Sequence, residues 1–135
     1  MHHLMIFLQE KRQWFFNGRR HRNEKPAVIS PYCKEWWVNG QRHREEKPAV
    51  ELSNGEKEYW VKGERYFLSF QENKTKEIFN IFGNLHNLHG PAVEYPNGDK
   101  EWWAYGQRHR LDGPAVIIGN KQFWFEHGEF IRCSV

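Results

Sequence analysis

Three stretches of this chain are near-copies of one another, and that self-similarity constrains the fold more than any other property. Glu35-Trp36-Trp37-Val38-Asn39-Gly40-Gln41-Arg42-His43-Arg44 recurs almost unchanged as Glu101-Trp102-Trp103-Ala104-Tyr105-Gly106-Gln107-Arg108-His109-Arg110. Trp14-Phe15-Phe16-Asn17-Gly18-Arg19-Arg20-His21-Arg22 is a looser version. Each is followed by Pro-Ala-Val, at 26–28, 48–50 and 114–116, and a fourth Pro-Ala-Val stands at 91–93. Counted from its glycine, the register runs through Gly18, Gly40, Gly63, Gly83, Gly106 and Gly128, at spacings of 22, 23, 20, 23 and 22 residues, so six units fill the chain. A period of this length marks a repeat architecture in which each unit is one supersecondary element packed on its neighbours. The 20-residue interval is irregular: around Leu68-Ser69-Phe70 the Gly-Pro-Ala-Val segment is shortened by three and rewritten.

Each unit reads as two strands and two turns. Val50-Glu51-Leu52-Ser53 and Glu58-Tyr59-Trp60-Val61 flank Asn54-Gly55, a strong hairpin signal, and Asn97-Gly98 repeats it. The reference glycine carries the second turn, and the proline opens the next strand, where its missing N–H is tolerated. No stretch sustains a helical period. The expected fold is all-β: a single-layer twisted antiparallel sheet or solenoid of about six tandem β-hairpin repeats, forming one domain over 1–135.

Successive side chains of a strand point to opposite faces, so alternation separates two surfaces. Four residues before the glycine stand Trp14, Trp36, Tyr59, Phe79, Trp102 and Trp124, and two before it Phe16, Val38, Val61, Ile81, Ala104 and Glu126. This is the expected core face, with Ile6, Val28, Val50, Phe70, Val93 and Val116 as partners from neighbouring strands. Three before the glycine lies a second aromatic stripe, Phe15, Trp37, Trp60, Trp103 and Phe125, broken by Asn80; five before it come Gln13, Glu35, Glu58 and Glu101. Arginines of the Gln-Arg-His-Arg segments can stack on these rings and satisfy both groups internally. The alternative is a binding platform, for which the candidate residues are Trp37, Trp60, Trp103, Arg42, Arg44, Arg65, Tyr66, Phe67, Arg108 and Arg110.

The histidines His21, His43, His86 and His109 recur three after the glycine, a pattern that serves the repeat rather than a single centre. Successive ones are separated by a whole hairpin, roughly 10 Å, too far to share one metal ion. No metal or cofactor is expected. No nucleophile elbow, phosphate loop or singular acid–base constellation stands in the sequence, so an enzyme is not expected either. Cys33 and Cys133 form no paired motif, pointing to a reducing, cytoplasmic setting. The apolar run Leu4-Met5-Ile6-Phe7-Leu8 is shorter than a signal core and far shorter than a transmembrane segment. With 20 Lys and Arg against 17 Asp and Glu, net charge is only +3 and the signs interleave, which alone does not select nucleic acid.

The unit, an aromatic pair, Asn-Gly, His-Arg and then Gly-Pro-Ala-Val, resembles the MORN-repeat group in its broad sense, and most of all a divergent branch found in large bacteriophages and giant viruses. The resemblance covers essentially the whole chain and departs from pattern around Leu68 and at Lys25 and Lys47, where glycine would precede the proline. It implies an elongated sheet of stacked hairpins that binds proteins and, in some members, acidic phospholipids. By analogy it implies a phage- or virus-encoded inhibitor of a host factor such as a CRISPR or restriction component. Protein binding is therefore the first expectation, because Trp, Tyr and Arg dominate interface hot spots. A polyanion binder, for single-stranded nucleic acid or acidic lipid, is the second, with Arg20, Arg22, Arg42, Arg44, Arg65, Arg108 and Arg110 tracking phosphates. Sequestration of a small nucleotide between subunits is the third. The apolar end edges, near Leu4 to Leu8 and near Phe123 to Phe125, call for cover by tails, a partner, or a second copy in a homodimer.

Overall fold

The computed structural model describes residues 2–135 and contains eighteen strands, with no helix among the described residues. They group into two compact units, one ending at Tyr66 and one running from Phe67 to Val135. In each, antiparallel strands form an open sheet that does not close into a barrel.

The first unit holds β1 (His3–Leu8), β2 (Lys11–Phe16), β3 (Arg19–Arg20), β4 (Val28–Ile29), β5 (Cys33–Glu35), β6 (Trp37–Val38), β7 (Gln41–Arg42), β8 (Val50–Leu52), β9 (Lys57–Val61) and the start of β10 (Glu64–Phe70). Its main sheet runs β1-β2-β4-β5-β8-β9-β10, and β6 with β7 makes a separate hairpin. In the second unit, residues 67–70 pair with β11 (Lys76–Phe79), followed by β12 (Val93–Glu94) and β13 (Lys100–Glu101). β14 (Trp103–Ala104) and β15 (Gln107–Arg108) form the side hairpin, and β16 (Val116–Ile118), β17 (Lys121–Glu126) and β18 (Glu129–Ser134) complete the main sheet.

The split between main sheet and side hairpin falls within the aromatic pair. Glu35 pairs with Val28 and Val50 in the sheet, whereas Trp37 pairs with Arg42; between them Trp36 turns its N–H to Ala49 O at 2.8 Å. Trp102 does the same toward Ala115 O at 2.7 Å. The side hairpin closes on a two-residue turn. Asn39 (φ 50°) and Gly40 (φ 80°) both occupy the left-handed region, the type I′ geometry that suits the strand twist and that a β-branched residue resists. The Asn54-Gly55 signal also makes a turn, in a longer form: Gly55 N–H donates to Leu52 O at 3.0 Å, Leu52 N–H to Glu56 O at 2.9 Å, and only Gly55 (φ 93°) is left-handed.

The core is thin and built from the Pro-Ala-Val segments. Ala27, Ala49, Ala92 and Ala115 are fully buried, and Val28, Val50, Val93, Val116 and Trp36 complete it. Cross-strand partners share a face, so the valines lie on the face of Gln13, Glu35, Glu58 and Glu101 and not, as alternation led one to expect, on that of Trp14 and Trp36. The order is Gln13, Val28, Glu35, Val50 and Glu58 in one unit, Glu77, Val93, Glu101 and Val116 in the other. Four residues expected on the core face are exposed instead: Ile6, Phe70, Ile81 and Glu126, the last at the turn end of β17. Ile6 lies on the outermost of the described strands of its unit; Phe70 and Ile81 belong to the rewritten unit, which lacks the Pro-Ala-Val segment of its counterparts. The second apolar edge is β18, with Phe130 and Ile131 exposed, whereas the expected edge at Phe123 to Phe125 lies inside the sheet between β16 and β18.

Candidate functional site

The predicted aromatic and basic residues meet, and they meet one another. Arg42 Cζ lies 5.0 Å from the centre of the Trp37 ring and 5.1 Å from that of Trp60, so one guanidinium bridges the rings of successive hairpins. Arg20 approaches the same Trp37 ring at 5.2 Å. In the second unit Arg108 repeats the arrangement over Trp103 at 5.1 Å and Phe125 at 5.5 Å. Carboxylates complete the ladder. Glu35 Oε1 accepts from Trp37 Nε1 at 3.3 Å and Arg42 Nε at 3.1 Å; Glu101 Oε1 accepts from Trp103 Nε1 at 3.1 Å and Arg108 Nε at 3.2 Å; Glu58 accepts from Trp60 Nε1 at 2.9 Å. The spacing explains it: in an extended strand the glutamate and the tryptophan two residues on share a face, and the arginine returns across the hairpin.

Arg44 and Arg110 serve the other aromatic stripe. Arg44 Cζ stacks 3.8 Å over Trp36 and donates to Pro48 O at 3.1 Å; Arg110 does the same over Trp102, at 3.8 Å, and to Pro114 O, at 3.1 Å. Arg22 on Trp14 (3.8 Å) and Arg132 on Trp124 (3.7 Å) extend the series. The irregular unit differs. Arg65 stands opposite Trp60 in the β9–β10 pairing, and Tyr66 packs its ring on Tyr59 at 5.6 Å, where burial first and then Tyr59 and Glu46 raise its phenol pKa. Phe67 pairs with Phe79 in the second unit and is exposed.

The histidines join successive hairpins. Asn39, Lys62, Tyr105 and His127 each occupy a turn position just before the reference glycine, and each donates its backbone N–H to Nδ1 of the preceding unit's histidine: His21, His43, His86 and His109, at 3.0, 2.8, 2.9 and 3.0 Å. The glycine N–H follows suit, as in Gly40 to Arg20 O at 2.8 Å and Gly63 to Arg42 O at 3.0 Å. Among the described residues no cluster of three or more His, Cys, Asp or Glu side chains is gathered as a metal site would need. Tyr95 hydrogen-bonds through its hydroxyl to Glu101 Oε2, and that bond, with lesser contributions from desolvation and the carboxylate charge, pushes the phenol pKa up to about 12.

Alternation along strands did not reveal which large side chains remain open to solvent, because they stand in the turns. At the position before the reference glycine the first unit carries Asn17, Asn39 and Lys62; the second carries Phe82, Tyr105 and His127. Phe82 is 80% exposed and Tyr105 66%. Tyr105 lies with its ring centre 4.3 Å from that of His86, and His127 stacks at 4.3 Å on His109. Leu88 and Leu111, five after their glycines, are also exposed, where the first two units have Asn23 and Glu45. Between Gln9 and Tyr66 the described residues expose a single large apolar side chain, Tyr32. The change from Asn or Lys to Phe or Tyr at one repeat position was the readable signal.

Compared with known protein families, curated proteins and solved structures, the chain matches none.

Proposed function

We propose that this chain is a non-catalytic repeat module that binds another protein, and that its docking surface lies along the turn edge of the second unit. The observation that carries this reading is the in-register exposure of Phe82 and Tyr105, with Leu88 and Leu111 in equivalent places of successive hairpins. Equivalent positions recur at two strand spacings, roughly 10 Å, so the edge offers a row of rings and branched side chains on hydrogen-bonded turns, Phe82 N–H donating to Asn80 Oδ1 and Tyr105 N–H to His86 Nδ1. Exposed apolar side chains in register are the composition of an interface centre. The resemblance read from the repeat adds a host-defence component as a candidate partner.

The polyanion alternative draws on arginines that are already spent on Trp rings, carboxylates and proline carbonyls. Fewer guanidinium N–H groups then remain for phosphates.

Capture experiments with the wild-type chain and a Phe82→Ser/Tyr105→Ser variant test the proposal. Both side chains project from turns, so the variant keeps its circular dichroism spectrum, and the expected result is loss of a stoichiometric protein partner. Equal capture by both chains would refute the assigned surface. Capture of nucleic acid or anionic vesicles that weakens steeply with salt would favour the polyanion reading instead.

A further inference from the structure

We infer that β1 is a self-pairing edge, through which two copies of this chain join antiparallel β1 to β1 about a two-fold axis at Ile6. β1 is the outermost strand of the first unit, pairing β2 alone among the described strands. All six of its residues are exposed, the five apolar ones from 41% at Ile6 to 66% at Leu8, and Leu4-Met5-Ile6-Phe7-Leu8 leaves both faces of the strand apolar. Proteins blunt free edges with charge, proline or bulges. β1 has none of these: its register against β2 is unbroken, and residues 3–9 carry neither carboxylate, lysine, arginine nor proline. β18, the free edge of the second unit, carries Glu129 and Arg132, and its pairing with β17 is broken at Trp124/Phe125.

The phase of the β1–β2 pairing fixes which backbone groups are available. Leu8 faces Lys11 across the two-residue turn Gln9-Glu10, both with positive φ (52° and 65°), and such a turn closes on a hydrogen-bonded pair. At the far end Asn17 N–H donates to His2 O at 3.0 Å, in the same phase. Leu4, Ile6 and Leu8 therefore spend their N–H and C=O on β2, while those of His3, Met5 and Phe7 point away from the sheet. A second copy can pair only where outward groups meet outward groups, so odd-numbered residues must face odd-numbered ones. An axis at Ile6 satisfies this over the whole run: Met5 exchanges hydrogen bonds with Phe7 of the second copy, and Leu4 meets Leu8. Ile6 meets Ile6 in the close, non-hydrogen-bonded spacing. His3 then meets Gln9, and His2 meets Glu10, the one carboxylate of residues 2–10. Every apolar side chain faces another and no like charges are opposed. An axis at Met5 would set Leu8 against His2.

A six-residue edge belongs to the small class of interfaces, below about 1,200 Å² in total, so the dimer dissociates on dilution. Analytical ultracentrifugation of the wild-type chain across a dilution series reads this directly: monomer at the dilute end and dimer, with no larger species, at the concentrated end. Ile6→Lys, which sets like charges on the axis, remains monomeric throughout. Met5→Pro deletes an outward N–H that β2 does not use; it retains the wild-type circular dichroism spectrum and also remains monomeric. Register is read by cross-linking in a Cys33→Ser/Cys133→Ser background, where Ile6→Cys forms an intermolecular disulfide under oxidation and Phe7→Cys does not. Three results would overturn the inference: a wild-type monomer at every concentration, assembly that grows past the dimer and is abolished by Ile131→Lys, or cross-linking of Phe7→Cys in preference to Ile6→Cys.

Discussion

A histidine in this chain acts as a hydrogen-bond acceptor between neighbouring hairpins. His43 Nδ1 receives the Lys62 N–H at 2.8 Å, and that amide belongs to a turn residue with φ 48°, where it has no strand partner. His43→Leu removes the acceptor and is expected to lower stability by about 1 kcal/mol, the net worth of one such bond, seen as a lower urea midpoint with an unchanged slope. Tyr95 makes the second residue-scale prediction. Its folded pKa, about 12, lies above the ordinary value of 10.0, so between these pH values the folded chain holds a proton that the unfolded chain has released. The contribution is present in full below pH 10 and is lost as pH rises through about 12. Phenolate absorbance during alkaline titration should show a tyrosine that ionises near pH 12, and Tyr95→Phe should remove that step, leaving the raised Tyr66 in place. Sequence alone made the recurrence of these residues legible but not their partners. The repeat said that His43 serves the array; only the fold shows that it serves the next hairpin's turn.

The hairpins were legible as elements because the turn glycine recurs in all six units and Pro-Ala-Val in four places, and the reading that arginines of the Gln-Arg-His-Arg segments can stack on the second aromatic stripe holds at Trp37, Trp60 and Trp103. Alternation failed where a strand does not stay a strand. At Trp36 and Trp102 the chain leaves the main sheet for a side hairpin, so the faces before and after that step belong to different layers of pairing. The alanines of Pro-Ala-Val, fully buried, carried too little apolar weight to be read as core. Exposed Phe82 and Tyr105 were missed because turns have no alternation to read. One turn invites improvement. Lys62 holds φ 48° where Asn17 and Asn39 hold 51° and 50°, and asparagine tolerates that region better than lysine. Lys62→Asn keeps the N–H donated to His43 and is expected to raise thermal stability by a few tenths to about 1 kcal/mol, measurable by calorimetry.

Across the molecule, stability is spread thinly. The fully buried side chains are small, and much of the remaining order comes from guanidinium–ring stacks and turn hydrogen bonds repeated from hairpin to hairpin. Opening should therefore be graded, easiest at free edges and hardest where the backbone is buried. Ala27, Ala49, Ala92 and Ala115 donate their amides to Glu35, Glu58, Glu101 and Phe123 carbonyls at 2.7–2.9 Å beneath the sheet surface. Native-state hydrogen exchange is expected to find these four amides among the slowest and, at dilutions where the chain is monomeric, the outward amides of Met5, Phe7 and β18 among the fastest. Uniform protection along the array would contradict that gradient.

Within each of the two units the joints between hairpins use the same atoms: a histidine ring nitrogen, a turn amide and a glycine amide of the following hairpin. A joint of this kind is indifferent to which hairpin stands on either side of it. Removing residues 18–39 would rejoin Asn17 to Gly40 and leave a chain whose remaining junctions are chemically intact, whereas removing half that stretch would strand donors without acceptors. Such a gene can lengthen, shorten or shuffle by whole units without relearning how to fold, leaving the side chain before each glycine free to diverge.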